Sequence, residues 1–319
     1  MTKKRTEYDN PWKEIIEDFF PSFLEFFFPG VYSIIDWTKP YEFLDSELQK
    51  LEPDAEIGKR LVDKVAKVYL LNGEEAWILV HIEVQSQYDK NFPERMYIYH
   101  YRLFDRHKTK VISLAVLADE QPNWRPSSYG YSLGECSLSL EFPVVKLLDY
   151  ESQWQTLEQT TNPFSIVVMA HLRTKATNQN PESRLQWKLR LVRMLFEKGY
   201  SREEVIGLFR FIDWLMSLPE ELAADFKAEL KREEEAGRMR YVTSIERIAK
   251  QEGIEEGKVE IAREDVIEVL AVRFGEIPSN VLENINRIND VSVLKRLHRN
   301  AIAISSMEAF VELVNETNL

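Results

Sequence analysis

The chain has little cysteine and little histidine. A single cysteine, Cys136, in 319 residues excludes an internal disulfide and a zinc cluster built from cysteines. None of the five histidines is paired at ligand spacing in a helical segment, which argues against a zinc enzyme. The sequence also lacks a Gly-x-x-x-x-Gly-Lys phosphate loop, a Gly-x-Ser-x-Gly elbow and a His-Glu-x-x-His helix.

Positive charge and long apolar runs are scarce as well. The net charge of −12 excludes a protein that coats nucleic acid generally, so any DNA contact must be a local patch. The aromatic stretch 19–35 is broken by proline, glycine and glutamate, so it is too interrupted to span a bilayer. No signal peptide is evident at the start of the sequence. We therefore expect a cytoplasmic protein without a membrane partner.

The most informative stretch, residues 61–85, predicts a β-hairpin. Two runs rich in Val, Ile, Leu, Tyr and Trp flank Asn72-Gly73, a strong hairpin-turn signal. Asp63 lies near the start of the first strand, and Glu83 and Gln85 lie near the end of the second. Carboxylates on two paired strands are candidate ligands for a metal ion. Exposed acids at strand ends, or ion pairs with nearby cations, are the alternative.

The register of the hairpin decides whether the two acids meet. A three-residue loop, Asn72 to Glu74, would pair Leu71 with Glu75 and place Asp63 directly opposite Glu83. A two-residue loop, Asn72-Gly73, would place Asp63 opposite Ile82 and on the other face. Two facing carboxylates repel each other and need a cation, for which Mg²⁺ is the natural candidate and Mn²⁺ or Ca²⁺ are alternatives.

Three segments around these acids carry a family resemblance. They are Leu-Val-Asp-Lys at 61–64, Val-His-Ile-Glu-Val-Gln-Ser-Gln at 80–87 and Pro-Glu-Arg-Met-Tyr-Ile-Tyr at 93–99. These segments resemble the recombination-promoting nuclease and putative transposase family, which is a Glu-x-Gln variant of the PD-(D/E)xK nuclease superfamily. The C-terminal region is similar to a helical domain of unknown function that is attached to cyanobacterial members.

The resemblance implies a role for each matching residue. Asp63, Glu83 and the carbonyl of Val84 would hold Mg²⁺, and Glu47 on a preceding helix would add a further acid. Gln85 stands where many such nucleases have lysine. Glutamine cannot act as a general base at neutral pH, but it can orient the attacking water. His81, on the same strand face as Glu83, is a candidate supporting group.

A helix predicted from about Glu94 to Arg106 follows the hairpin. Its apolar residues allow a buried side, and basic residues on another side are candidate DNA contacts: Arg95, Arg102, Arg106 and, beyond the helix, Lys108. Between Glu56 and Lys110 there are ten Lys/Arg against eight Asp/Glu, in contrast to the acidic whole. A merely solvated basic face is the alternative.

The order of the elements predicts an α/β (α+β) fold. The hairpin, the helix and a buried strand at 111–118 form a crossover, and the resemblance implies a restriction-endonuclease-like mixed sheet with flanking helices. We predict three regions: a nuclease-like core at 1–180, a helical extension and linker at 181–250, and a small helical C-terminal domain at 251–319. A hinge is predicted at Gln251 to Lys258, and self-association or partner binding is the default role of the C-terminal helices.

The sequence therefore predicts a metal-dependent DNA endonuclease that hydrolyses phosphodiester bonds, linked by its resemblance to recombination or mobile DNA. The alternative is a catalytically weak DNA-binding or protein-interaction module on the same scaffold. The glutamine at position 85 and the acidic overall charge favour this alternative.

Overall fold

The computed structural model describes residues 11–44, 61–83, 90–240, 242–275 and 277–316. For some strand and helix positions, among them 61–63 and 79–83, the description covers the backbone alone. Within these ranges the protein is a mixed α/β structure. This agrees with the predicted class.

A five-stranded mixed sheet organises the first part of the chain. Its strands stand in the order β1-β2-β3-β4-β7, with the bounds β1 Glu42–Phe43, β2 Leu61–Tyr69, β3 Glu75–Glu83, β4 Lys110–Leu117 and β7 Val144–Lys146. The first three strands are antiparallel neighbours, whereas β4 runs parallel to both β3 and β7. The hairpin expected at Asn72-Gly73 is confirmed, with Gly73 in the left-handed region at φ 85°.

One face of the sheet is covered by helix α4, Phe92–His107, which makes the predicted crossover from β3 to β4. Proline in its first turn fits a helix start, and Lys108 ends the helix in a left-handed conformation at φ 52°. Phe92 and Met96, on the apolar side of α4, pack against the sheet near Leu117. Tyr99 and Leu103, later in the helix, pack against the sheet near Trp77.

A second group of helices packs together, and its first member lies on the other face of the sheet, where Glu17 pairs with Lys64. They include α1 Pro11–Asp18, α2 Phe20–Phe27 and α6 Phe164–Ala176, with the short α3 Pro29–Tyr32 after α2 and α5 Trp154–Gln159 before α6. Every residue of α6 from Phe164 to Leu172 is buried, as expected of a helix enclosed on all sides. The rings of Phe23 and Phe164 lie 5.2 Å apart in an edge arrangement and join α2 to α6.

The strands between residues 128 and 146 contribute to two different sheets. β5 Ser128–Leu133 and β6 Cys136–Glu141 form a separate two-stranded hairpin, while β7 joins the main sheet. The break falls at Phe142-Pro143, where proline has no N–H to donate to a ladder. A 3-10 turn, Leu147–Gln153, then leads to α5.

Three further helices follow, as predicted: α7 Pro181–Glu197, α8 Arg202–Leu215 and α9 Glu220–Glu235. Two of these helices start at a side-chain cap. Asn180 accepts a hydrogen bond from the backbone of Ser183, and Ser201 and Glu204 form a capping box. The rings of Trp12 and Phe211 meet edge to face at 5.4 Å and tie α8 to α1.

The chain divides into two compact units, Asn10–Arg247 and Ile248–Leu319. Helix α10, Val242–Phe274, is continuous across residues 251–258, so the hinge predicted there is replaced by helix. The second unit continues with α11 Ser279–Arg287, α12 Val291–Ala303 and α13 Met307–Glu316 around its own apolar core. Val272, an apolar residue of α10, is exposed and is not part of this core.

Candidate functional site

The backbone register of β2 and β3 differs from both expected registers. Asp63 lies opposite His81, and Glu83 lies opposite Leu61. The cause is the turn: Leu70 donates its backbone N–H to the carbonyl of Glu74 at 2.8 Å, which leaves a loop of residues 71–73. Facing residues share a face and side chains alternate along a strand, so positions 63, 81 and 83 belong to one face of the sheet.

This face is the one that α4 covers. Val65 and Trp77 occupy alternate positions on the same strands and pack against Tyr99 and Leu103 of the helix. The predicted metal-binding positions on β2 and β3 therefore lie at the end of the sheet where α4 begins, since Phe92 and Met96 pack near the end of β4. The side chains of Asp63 and Glu83, and the residues Glu47, Val84 and Gln85 as a whole, lie outside the described part of the chain.

The predicted DNA-binding residues all lie on α4 or at its end. On the flank toward β4, His100 is half buried and its Nδ1 lies 2.9 Å from the hydroxyl of Ser113, while burial lowers the pKa of His100. Arg95, Arg102 and Arg106 share the opposite flank at i, i+7 and i+11. Of these three, Arg102 and Arg106 are exposed and Arg95 is partly buried.

Lys108 stands apart from these three arginines. It caps the C-terminal end of α4 and pairs with exposed Asp105 through an Nζ to Oδ1 distance of 2.7 Å. An exposed pair of this kind contributes little to stability, so the ammonium group can exchange this partner for a phosphate at small cost.

Lys64 lies on the opposite face from Asp63 and is buried. Its ammonium group pairs with Glu17 of α1 and lies 5.2 Å from the centre of the Phe43 ring. Burial lowers the pKa of Lys64. The neighbour of Asp63 in the sequence therefore serves to attach α1 to the sheet.

A buried ion pair that the sequence analysis did not anticipate lies at the ends of the parallel strands. Asp119 follows β4, Lys146 ends β7, and both side chains are fully buried. The Lys146 ammonium group donates to both Asp119 oxygens at 2.6 Å and to the carbonyl of Trp124 at 3.2 Å. The signal in the sequence was a lone lysine in the apolar segment 144–148.

His171 of α6 is buried close to the same strand ends. Its Nε2 lies 3.0 Å from the carbonyl oxygen of Ala118, which can only accept, so Nε2 carries the proton. Its Nδ1 has no hydrogen-bond partner among the described residues. Burial lowers the pKa of His171 to about 4, so the ring is neutral at physiological pH. A cavity of about 270 Å³ lies beside it, with Asp119 and Lys175 among its lining residues.

His171 makes the stability of the folded chain depend on pH. Its pKa is about 4 in the folded chain and 6.5 when exposed, so between these values the unfolded state binds the proton and the folded state does not. Stability present above pH 6.5 is thus lost as the pH falls toward 4, by about 3 kcal/mol from this residue. Urea unfolding at pH 7 and at pH 4.5 measures this effect. From pH 7 to pH 4.5, the free energy of unfolding should fall less for His171→Gln than for wild type.

His298→Gln, on α12 of the second unit, is the matched control and should keep the wild-type difference between the two pH values. If His171→Gln also keeps that difference, the buried imidazole is not the group that couples folding to protons in this range.

A wide groove of about 880 Å³ lies along α7 and α9. The two cations of α7 that line this groove are already paired, Arg190 with Glu158 and Arg193 with Glu233. Beside it, the guanidinium of Arg173 lies between two tryptophan rings, 3.9 Å from the centre of Trp154 and 4.2 Å from that of Trp187. These contacts explain the packing of α5, α6 and α7, and they supply no nucleophile or acid–base pair.

Comparisons with known proteins give no information about this site. No family model, no curated protein and no solved structure matches the chain. Among the described side chains, no group of three or more His, Cys, Asp or Glu residues is placed to hold a metal ion. The helices in the described ranges include none long and apolar enough to cross a bilayer.

Proposed function

We propose that the chain is a Mg²⁺-dependent DNA endonuclease with a restriction-endonuclease-like core, acting in the cytoplasm on recombining or mobile DNA. The observation that supports it is the register of β2 and β3, which puts the positions of Asp63, His81 and Glu83 on the face that α4 covers. The antiparallel hairpin followed by a helical crossover to a parallel strand is the arrangement that the family resemblance implies.

The donor set suits the proposed metal. Asp63 and Glu83 offer carboxylate oxygens and Val84 offers a backbone carbonyl, with Glu47 as a further acid, and hard oxygen donors are what Mg²⁺ binds. Mn²⁺ and Ca²⁺ are alternatives on the same grounds. When bound, the cation would lower the pKa of a water and stabilise charge that develops on the phosphate.

The remaining residues have positioning roles in the proposal. Gln85 orients the attacking water through its amide, because it carries no charge with which to accept the proton at neutral pH. Arg95, Arg102 and Arg106, on one flank of α4, hold the phosphate backbone, with Lys108 at the helix end. These contacts fix the position of the DNA and do not select its sequence.

The direct test is nicking of supercoiled plasmid by the purified chain, in Mg²⁺ and after its removal with EDTA. We expect nicked circles in Mg²⁺ and none in EDTA, because the proposed chemistry needs the cation. Binding of labelled duplex in EDTA is measured in parallel. Absence of both nicking and binding would reject the proposal.

A second candidate function is a DNA-binding or interaction module that retains the scaffold with little or no catalysis. The glutamine at position 85, where a charged lysine is common in the superfamily that the chain resembles, favours it. Binding without nicking under all of the metal conditions would select this function. Self-association through the C-terminal helices is a further proposal, which sedimentation velocity tests.

A further inference from the structure

The second compact unit exposes large apolar side chains on two of its helices. Within the described ranges of this unit they are Ile261 and Val272 of α10 and Ile302 of α12, which are 48%, 80% and 54% exposed. The core of the unit is built without them. Single exposed apolar residues are common on protein surfaces, so the charged residues beside these three decide whether they belong to a binding surface.

Ile261 and Val272 lie on one stripe of α10. Positions 261, 265, 268 and 272 follow the spacing that puts residues on one side of a helix. Asp265 and Glu268 fill the two middle positions, and both are exposed without an ion-pair partner among the described residues. Half-buried Glu264 beside them has a raised pKa, chiefly through burial and further through the carboxylates around it. The α10 stripe is therefore negatively charged, with an apolar residue at each end.

The outer side of α12 has the opposite charge. Lys295, Arg299 and Ile302 are spaced three and four positions apart on one side of the helix, and Arg296 flanks them. All four are exposed, and in the part of the chain that the structure describes the three cations have no ion-pair partner. The helix itself contains no acidic residue. The α12 stripe thus presents cations followed by one apolar side chain.

The two stripes match residue by residue when an α10 and an α12 run antiparallel. Each step of three or four positions forward along α10 then goes with a step of three or four positions back along α12. The facing pairs are Ile261 with Ile302, Asp265 with Arg299 and Glu268 with Lys295. A parallel pair that keeps Glu268 beside Lys295 would instead put Arg299 beside Val272, so charge and apolar contact favour the antiparallel arrangement.

Within one chain the two stripes do not meet. The inner sides of α10 and α12 contribute to the same core, so the outer stripes face away from it. Arg263 donates to the carbonyl of Ile288, just before α12, and Arg273, ten positions later, donates to the carbonyl of Ala301 near the end of α12. The two helices of one chain therefore run in the same direction. An antiparallel contact between the stripes needs two copies.

We propose that α10 of one copy docks antiparallel on α12 of a second copy through these two stripes. The inference rests on the self-association proposed above and names its surface, and it involves neither the metal nor DNA. Duplex DNA is the other candidate occupant for the cations of α12. A phosphate backbone would leave Ile302 uncovered and would give no role to the complementary stripe on α10.

The test is sedimentation velocity without DNA or divalent cation. Asp265→Lys with Glu268→Lys makes both stripes basic, and Lys295→Glu with Arg299→Glu makes both acidic. Because like charges then face each other, each variant alone should associate at least about 100-fold more weakly than wild type. An equimolar mixture of the two variants brings opposite charges together again, as does one chain that carries all four changes. Both should associate within about threefold of wild type.

Glu312→Lys reverses an exposed charge on α13 and is the control, which should associate as wild type does. Wild-type association in either double variant, or no recovery in the mixture, overturns the inference and leaves self-association to another surface. A wild type that stays monomeric rejects the self-association as well. If Lys295→Glu with Arg299→Glu lowers duplex binding and leaves sedimentation unchanged, α12 binds DNA and the inference is wrong. Plasmid nicking is measured separately, so neither result decides the nuclease proposal.

Discussion

Glu83→Ala and Asp63→Ala are each expected to lower Mg²⁺-dependent plasmid nicking by about 10³-fold or more. Each removes a proposed carboxylate ligand, and a catalytic metal supplies several kcal/mol of transition-state stabilisation, so about 4 kcal/mol corresponds to this factor. The double variant should be little worse than either single one, because groups that hold one metal act as a unit. Rates of loss of supercoiled substrate, at saturating Mg²⁺, measure the effect.

The matched control for Glu83→Ala is Glu74→Ala, the same substitution in the same hairpin but at the turn, where Glu74 pairs with exposed Lys110. We expect this control to nick at the wild-type rate. Equal thermal melting of all variants would separate lost chemistry from lost folding. Nicking by Glu83→Ala within about threefold of wild type would place the metal, if there is one, on other residues.

The sequence was sufficient to predict the central hairpin and the crossover that follows it. Dense β-branched and aromatic residues around Asn72-Gly73 predict two strands and a turn, and the apolar spacing after residue 92 predicts α4. Register was harder, because the Asn-Gly signal locates a turn without fixing the residue pair that closes it. The observed pair, Leu70 with Glu74, depends on the Gly73 N–H to Leu70 carbonyl bond and on the Asn72 side chain accepting from Glu74 N–H.

The partners of the buried polar groups could not be predicted from the sequence. Asp119 and Lys146 are separated by 27 positions and meet only because β4 and β7 are parallel neighbours whose carboxyl ends coincide. In the sequence His171 looks like an ordinary helix residue, and its pKa is lowered chiefly because α6 is enclosed on all sides, with a smaller effect of Lys175. These features depend on the packing of layers, which no local pattern specifies.

Asp119→Ala is expected to destabilise the fold by about 3 to 5 kcal/mol, since it leaves the buried ammonium group of Lys146 without its counter-charge. Among the described residues, the acceptor that remains for Lys146 is the Trp124 carbonyl at 3.2 Å. Urea unfolding at pH 7, followed by tryptophan fluorescence, measures the change. The control is Asp105→Ala, which breaks the exposed pair with Lys108 and should cost no more than about 1 kcal/mol.

The double variant Asp119→Leu with Lys146→Met separates the cost of an unpaired charge from the contribution of the pair itself. Replacement of a buried pair by apolar residues of similar volume is often neutral or stabilising, so we expect the double variant to recover most of the stability lost in Asp119→Ala. If both variants are equally unstable, the ion pair itself stabilises the junction of β4 and β7. If Asp119→Ala is as stable as wild type, water reaches the Lys146 ammonium group in solution. The ion pair is then more accessible to water than its full burial indicates.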